Sequence, residues 1–168
     1  MSQNDLIFVD TEFSSLNPYK GEILSIGMVK ENGDELYLEL EYNGLVDPWP
    51  KEHILPTLKQ EKVSRKEAIN LIKKFLGPKK PILVANANQF DVVYLYKLFG
   101  VKEFPFQWLV IDFASILFDR GYDPIAYTTR QKKFLNKIGI DPGKYTQHIA
   151  IDDARILREA YFKIKGKD

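Results

Sequence analysis

The stretch VDTEFSSLNP, residues 9 to 18, follows the apolar run Leu6-Ile7-Phe8-Val9 and sets two carboxylates, Asp10 and Glu12, two positions apart. In an extended segment side chains alternate between faces, so Asp10 and Glu12 point one way and Thr11 the other. Two like charges held that close repel. Either the pair is a solvated strand end carrying ordinary surface acids, or a divalent cation occupies the space between them. The decision needs further acids elsewhere in the chain.

Outward from this segment, the first forty residues read as strands: Leu6 to Phe13, Ile23 to Lys30 and Glu35 to Tyr42, with Asn32-Gly33 turning tightly between the last two. That is an antiparallel meander. Residues 43 to 62, with Pro48, Pro50 and Pro56, read as irregular or briefly helical. Ser64-Arg65-Lys66-Glu67 is a capping box, and Ala68, Ile69, Leu71, Ile72, Phe75 and Leu76 follow at helical spacing until Gly77-Pro78. Pro81 to Ala85 is a short apolar strand, followed by a helix over Asp91 to Phe99 that Gly100 closes. A strand over Trp108 to Ile111 leads into a helix from about Phe113. Helices over Thr129 to Ile138 and from about Ile149 to Ile164 complete the chain. Three meander strands followed by alternating strand and helix predict an α/β fold, a mixed central sheet flanked by helices.

With 168 residues and no linker, repeat or low-complexity tract, residues 1 to 168 are expected to form a single domain with a substantial core. No run approaches a membrane span and no basic-then-apolar leader precedes Leu6, so a cytoplasmic protein with no membrane partner is expected. The absence of cysteine excludes disulfides, thiolate metal clusters and thiol nucleophiles, leaving oxygen and histidine as metal ligands. Net charge is only +1, yet it is unevenly spread. Residues 31 to 52 are acidic, whereas 59 to 80 hold eight Lys and Arg, and a second basic stretch runs Arg130, Lys132, Lys133, Lys137, Lys144. Each basic stretch is either a solvated helix face or a contact for a phosphate backbone.

Two more segments carry acids. LVANANQFDVVYL sets Asp91 at the start of a helix just beyond a strand, where the helix dipole favours a carboxylate. QHIAIDDARIL sets His148 and Asp153 five positions apart, about one and a third helical turns, so both can face one pocket if His148 lies just ahead of the helix. Ala150 and Ala154 leave room beside them.

Asp10-Thr11-Glu12, then Phe90-Asp91, then His148-x-Ala150-x-x-Asp153-Ala154, in this order over nearly the whole chain, resemble the three motifs of the DEDDh 3′ to 5′ exonucleases. These belong to the ribonuclease H-like superfamily, with proofreading exonucleases, oligoribonuclease and ribonuclease T among them. Asp-Thr-Glu-Phe, Ile26-Gly27 and His53-Ile54-Leu55-Pro56 are most similar to the small mycobacterial-type 3′ to 5′ exoribonucleases. The resemblance implies a ribonuclease H-like sheet and hydrolysis of phosphodiester bonds from the 3′ end of single-stranded RNA or DNA, with RNA favoured. It also implies two divalent ions, Mg²⁺ or Mn²⁺, held by Asp10, Glu12, Asp91 and Asp153, with Asp10 bridging and His148 as general base. Hard carboxylates without thiolates favour those ions over zinc. Relatives are often dimers, which makes a homodimer an expectation.

Two segments depart from the family pattern. Phe13-Ser14-Ser15-Leu16 stands where many relatives have Thr-Thr-Gly-Leu after the Glu, and Asn86-Ala87-Asn88 stands where they have His-Asn-Ala. By resemblance both border the terminal nucleotide, which marks Phe13, Leu16 and Asn88 as substrate-binding candidates. Phe13 and Leu16 either stack on or wedge against the terminal base or pack into the core. Asp112 is read as the cap of the following helix, Asp152 as facing solvent or the helix dipole, and His53 as having no catalytic part. Two alternatives have the same fold: a DNA exonuclease, and a catalytically inactive nucleic-acid-binding module.

Overall fold

The computed structural model describes residues 5–166. β1 (Leu6–Phe13), β2 (Ile23–Lys30) and β3 (Glu35–Leu40) form the antiparallel meander, with Gly33 at φ 96° in the turn between β2 and β3. The chain then passes through a short helix, α1 (Pro48–His53), and a two-residue strand, β4 (Lys62–Val63), before α2 (Arg65–Leu76). β5 (Ile82–Ala85), α3 (Gln89–Phe99), β6 (Val110–Asp112) and α4 (Phe113–Asp119) alternate, and α5 (Pro124–Thr129), α6 (Gln131–Ile138) and α7 (Ala150–Lys165) finish the fold. The sheet order is β4-β3-β2-β1-β5-β6. β5 lies parallel to β1, β6 parallel to β5, and β4 parallel to β3, so the sheet is mixed.

Both faces of the sheet are covered. β1 shows why: Ile7 and Val9 join a core with Leu95 and Leu98 of α3 and Ala68 and Ile72 of α2, while Phe8 joins a second core with Phe113, Leu135 and Leu157 of α4, α6 and α7. β2 is buried along seven of its eight residues, as a strand sandwiched between helix layers must be. The alternation continues past Val9 and sends Asp10 and Glu12 to the α7 face and Thr11 to the α3 face. Among the described residues no helix is long and apolar enough to cross a membrane.

Four boundaries differ from the sequence reading. β3 stops at Leu40 instead of Tyr42, because Glu41 N–H pairs with Val63 of β4 and the Tyr42 hydroxyl turns back to Leu45 O. The sixth strand starts at Val110 opposite Leu83, leaving Trp108 and Leu109 exposed ahead of it. The helix expected over Thr129 to Ile138 starts at Gln131, and a separate helix absent from the sequence reading precedes the break at Arg130 (φ −132°, ψ 39°), started by Pro124 with Asp123 accepting from Ile125 N–H. The short strand β4 had no signal, since two residues carry no periodicity. The capping box behaves as read, with Ser64 Oγ accepting from Glu67 N–H.

One glycine sets how closely α7 approaches the sheet. Gly27 pairs with Asp10 across β1 and β2, and a Cβ there would collide with the backbone of Ala150 and Ile151 at the start of α7. Backbone cannot rotate away as a side chain can. Gly27→Ala is therefore expected to cost about 1–3 kcal/mol, as overpacking does, visible as a lower urea midpoint in chemical denaturation.

Candidate active site

The sheet end where β1, β5 and β6 finish carries a cleft of about 310 Å³. Asp10 and Glu12 reach it from β1, Asp91 from the first turn of α3, Asp153 from the first turn of α7, and His148 from the loop just before α7. All five positions read from the sequence as catalytic thus line one cavity. Glu12, His148 and Asp153 each offer a ligand atom within 4.8 Å of the others.

Each side chain has a local reason to be there. Small Ala150 and Ala154, both fully buried, let α7 lie on β1 and β2, which brings Asp153 alongside Asp10. Asp153 Oδ2 accepts from His148 N–H at 2.8 Å and Oδ1 accepts from Gln131 Nε2 at 3.5 Å. His148 sits at φ 65°, a left-handed backbone costly for any residue with a Cβ. The bond to Asp153 holds it there, with a second from Thr57 Oγ1 to His148 O at 3.1 Å. Its Nδ1 lies 3.9 Å from Glu12 Oε1. Asp91 accepts at Oδ1 from both Thr11 N–H (2.9 Å) and Thr11 Oγ1 (2.7 Å), so the residue between the two β1 acids anchors the third acid from the opposite face.

The electrostatics match a site built for cations. Burial, then the charges of Asp153, Glu12 and Asp91, holds Asp10 well above the usual carboxylate range. Burial, with Asp153 and Asp91 adding, pushes Glu12 up to about 8. Burial takes Asp91 to about 7 against the two Thr11 bonds, and Asp153 to about 6 against the bond from His148. His148 moves the other way, lowered by burial and then by His53. Among the described residues no Lys or Arg lines the cleft, and Asn86 Oδ1 beside it is buried without a hydrogen-bond partner. Glu12, His148 and Asp153 lie close enough to share one ion, and hard carboxylate oxygens suit a divalent cation such as Mg²⁺ or Mn²⁺.

A second cavity of about 420 Å³ adjoins the cleft, lined by Phe13, Leu16, Trp49 and Pro50 with Glu12, Ser15 and Asp47. Phe13 does both things the sequence left open: its ring stacks on Tyr94 (4.7 Å, 9°) and also walls both cavities. Leu16 is 67% exposed, so it packs into no core and is free to touch a ligand. Asn88 does not line the cleft; its N–H donates to Asp112 Oδ1 while Asn86 and Ala87 face the cavity. Asp112 caps α4 as read, accepting from Ser115 N–H. Asp152 does not simply face solvent: it accepts from Thr146 N–H and Arg155 Nη1 and ties down the loop that carries His148.

Sequence reasoning missed Trp49, Thr57, Tyr127 and Gln131. Trp49 stacks on His53 (4.7 Å, 11°) and meets His148 edge-on (5.1 Å, 87°), which places His53 one ring away from the site. No periodicity marks residues 48 to 57, so only the fold reveals that contact. Tyr127 lines the cleft with its hydroxyl pKa raised by burial and by Asp153 and Asp10.

No family model matches the chain. It is 27% identical over 168 residues to a PolC-type DNA polymerase III of Thermotoga maritima, covering 94% of this chain and 12% of the polymerase. It is likewise 27% identical over 182 residues to an oligoribonuclease of Arabidopsis thaliana, covering 94% of this chain and 76% of that protein. Exonuclease I of Methylocaldum szegediense superposes with a TM-score of 0.68 at 13% identity, over 98% of this chain and 41% of the other. E. coli Exonuclease I in complex with a 5cy-dT13 oligonucleotide gives 0.69 at 13%, over 99% and 42%. The fold is that of these Exonuclease I chains. The chain spans a small part of the polymerase, about two fifths of the Exonuclease I chains and most of the oligoribonuclease.

The raised carboxylates predict a pH dependence. Their folded pKa values exceed the unfolded ones, so the folded form binds extra protons, and the stability this provides is lost as pH rises through about 6 to 8. In EDTA the thermal midpoint is expected to fall between pH 6 and 8.5. Mn²⁺ or Asp10→Asn should flatten that slope, which differential scanning fluorimetry can measure.

Proposed function

We propose that this chain is a metal-dependent 3′ to 5′ exonuclease of the DEDDh type, with single-stranded RNA as its favoured substrate. The observation that carries the reading is the meeting of Asp10, Glu12, Asp91, Asp153 and His148, drawn from three distant segments, around one cleft. A chain that kept the fold only as a binding module would have no use for four mutually repelling buried acids. The oligoribonuclease, of which the chain covers 76%, supports RNA, as does the resemblance of Asp10-Thr11-Glu12-Phe13 and His53-Ile54-Leu55-Pro56 to small mycobacterial-type exoribonucleases. The Exonuclease I complex with 5cy-dT13 supports DNA as the second reading.

Asp10, Glu12, Asp91 and Asp153 would hold Mg²⁺ or Mn²⁺. Bound divalent ions supply an activated water and neutralise charge on the departing oxygen. The chain's own residues do the rest. Burial keeps the His148 imidazole neutral near neutral pH, able to accept a proton from the attacking water, and Asp153 and Thr57 fix its backbone. The apolar cavity of Phe13, Leu16, Trp49 and Pro50 receives the terminal base by stacking, a mode that tolerates any sequence.

Labelled RNA and DNA oligonucleotides incubated with Mg²⁺ or EDTA test this. A 5′-label should give a descending ladder and a 3′-label an immediate mononucleotide, both only with metal and faster on RNA. His148→Ala should lower kcat by about 10²–10⁴, the usual worth of a general base, and Asp10→Ala should abolish turnover. Full activity in both variants, or internal cleavage, would overturn the proposal.

A further inference from the structure

The cleft itself cannot attract the strand it is proposed to cut, because its lining is acidic and among the described residues carries no Lys or Arg. Attraction for a polyanion has to come from elsewhere on the surface. The basic stretch beginning at Arg130 lies immediately beside the cleft. The junction of α5 and α6 separates two cavities: Thr128 and Gln131 line the carboxylate cleft, and Arg130, Lys133 and Lys137 line a cavity of about 530 Å³ on the other side. Its apolar wall is Tyr122, Ala126 and Phe134, with the two rings 5.8 Å apart.

Lys132 stands exposed on α6 outside the hollow, but Arg130, Lys133 and Lys137 recur at a spacing that keeps them on one side, and they face a hollow floored by aromatic carbon. Lys137 Nζ stands 5.6 Å from the centre of the Tyr122 ring. Asp123 also lines the hollow, where it pairs with Arg130 at 3.0 Å, so three cations meet one carboxylate. Cations tracking a backbone beside an aromatic surface are the usual means of holding a single strand without reading its sequence.

We propose that the α5–α6 cavity is a strand-binding subsite, taking phosphates and one base of single-stranded RNA on the 5′ side of the end that enters the cleft. The proposal rests on the exonuclease reading and extends it. It makes the enzyme sensitive to substrate length. A dinucleotide reaches only the cleft and the adjoining base cavity, whereas a 12-mer also crosses the Thr128–Gln131 rim and engages Lys133 and Lys137.

The test is Lys133→Gln/Lys137→Gln, both exposed, with a 2-mer and a 12-mer of RNA. KM for the 12-mer should rise about tenfold while kcat and the 2-mer kinetics stay unchanged. The dependence of log affinity on log salt should fall by about 1.4, roughly 0.7 for each lost contact on a single strand. Lys133→Arg/Lys137→Arg should restore both. An unchanged 12-mer KM and salt slope, or an equal loss on both lengths, would overturn the subsite. Fluorescence anisotropy of the 12-mer on Asp10→Asn, with and without the two Gln substitutions, decides the subsite without turnover. Failure of the unaltered protein to hydrolyse either length would instead count against the exonuclease reading.

Discussion

Mutual repulsion among four carboxylates is the constraint around which this molecule is arranged. Burial holds Asp10, Glu12, Asp91 and Asp153 all at raised pKa values, and for Asp10 and Glu12 the neighbouring carboxylate charges raise them further. Hydrogen bonds from Thr11 and His148 hold Asp91 and Asp153, but the acids repel one another, so the assembly must also be forced by packing elsewhere. The two cores on either face of β1 supply that force. Gly27 and the buried alanines of α7 convert it into position, by letting a helix start lie directly on the strand pair that carries Asp10. A site that costs stability in the absence of its ion is the usual mark of function placed against folding.

The same arrangement explains the left-handed His148. An extended residue there would pass the start of α7 without returning its N–H to Asp153; the φ of 65° permits that bond. One acid thus serves the cation site with its charge and holds the imidazole with its hydrogen bond. Thr11 is used with similar economy, since its N–H and hydroxyl both bind Asp91 on the face opposite its two acidic neighbours. The alternation of a single strand therefore places three of the four carboxylates, two directly and one through a threonine.

How far this was legible follows from the range of the interactions. β1 and β2 keep the bounds read from the sequence, β1 running on past its apolar stretch through Asp10 and Glu12, and α2 starts at its capping box, because those signals lie within a few residues. The five cleft residues were legible as ordered motifs, though not from propensity. The break at Arg130 was readable in principle from Asp123-Pro124, a helix start that competed with the stronger apolar period farther on. Asn88 was named for its place in a motif, yet a two-residue difference in the turn gives the cavity to Asn86, and Ala87 at φ 53° makes that turn. Trp49 and Thr57 were beyond reach: each acts on His148 across more than ninety residues, from a segment without periodicity.

That segment deserves its weight in the account of the site, because it joins two things that are otherwise separate. Trp49 walls the carboxylate cleft and the apolar cavity together, rests its face on His53 and its plane against the edge of His148. The shape of the base-sized cavity and the seat of the imidazole are therefore set by one indole. A displacement of that ring cannot enlarge one without loosening the other. Catalytic geometry held to within about 0.5 Å needs such support from packed neighbours, and α1, short as it is, supplies it through the ring contacts of the indole with both imidazoles and the 3.0 Å contact of His53 Nδ1 with Trp49 O. The irregular, proline-rich stretch between the meander and α2 is thus the part of the chain that makes a cluster of acids and a histidine into a site with a defined entrance.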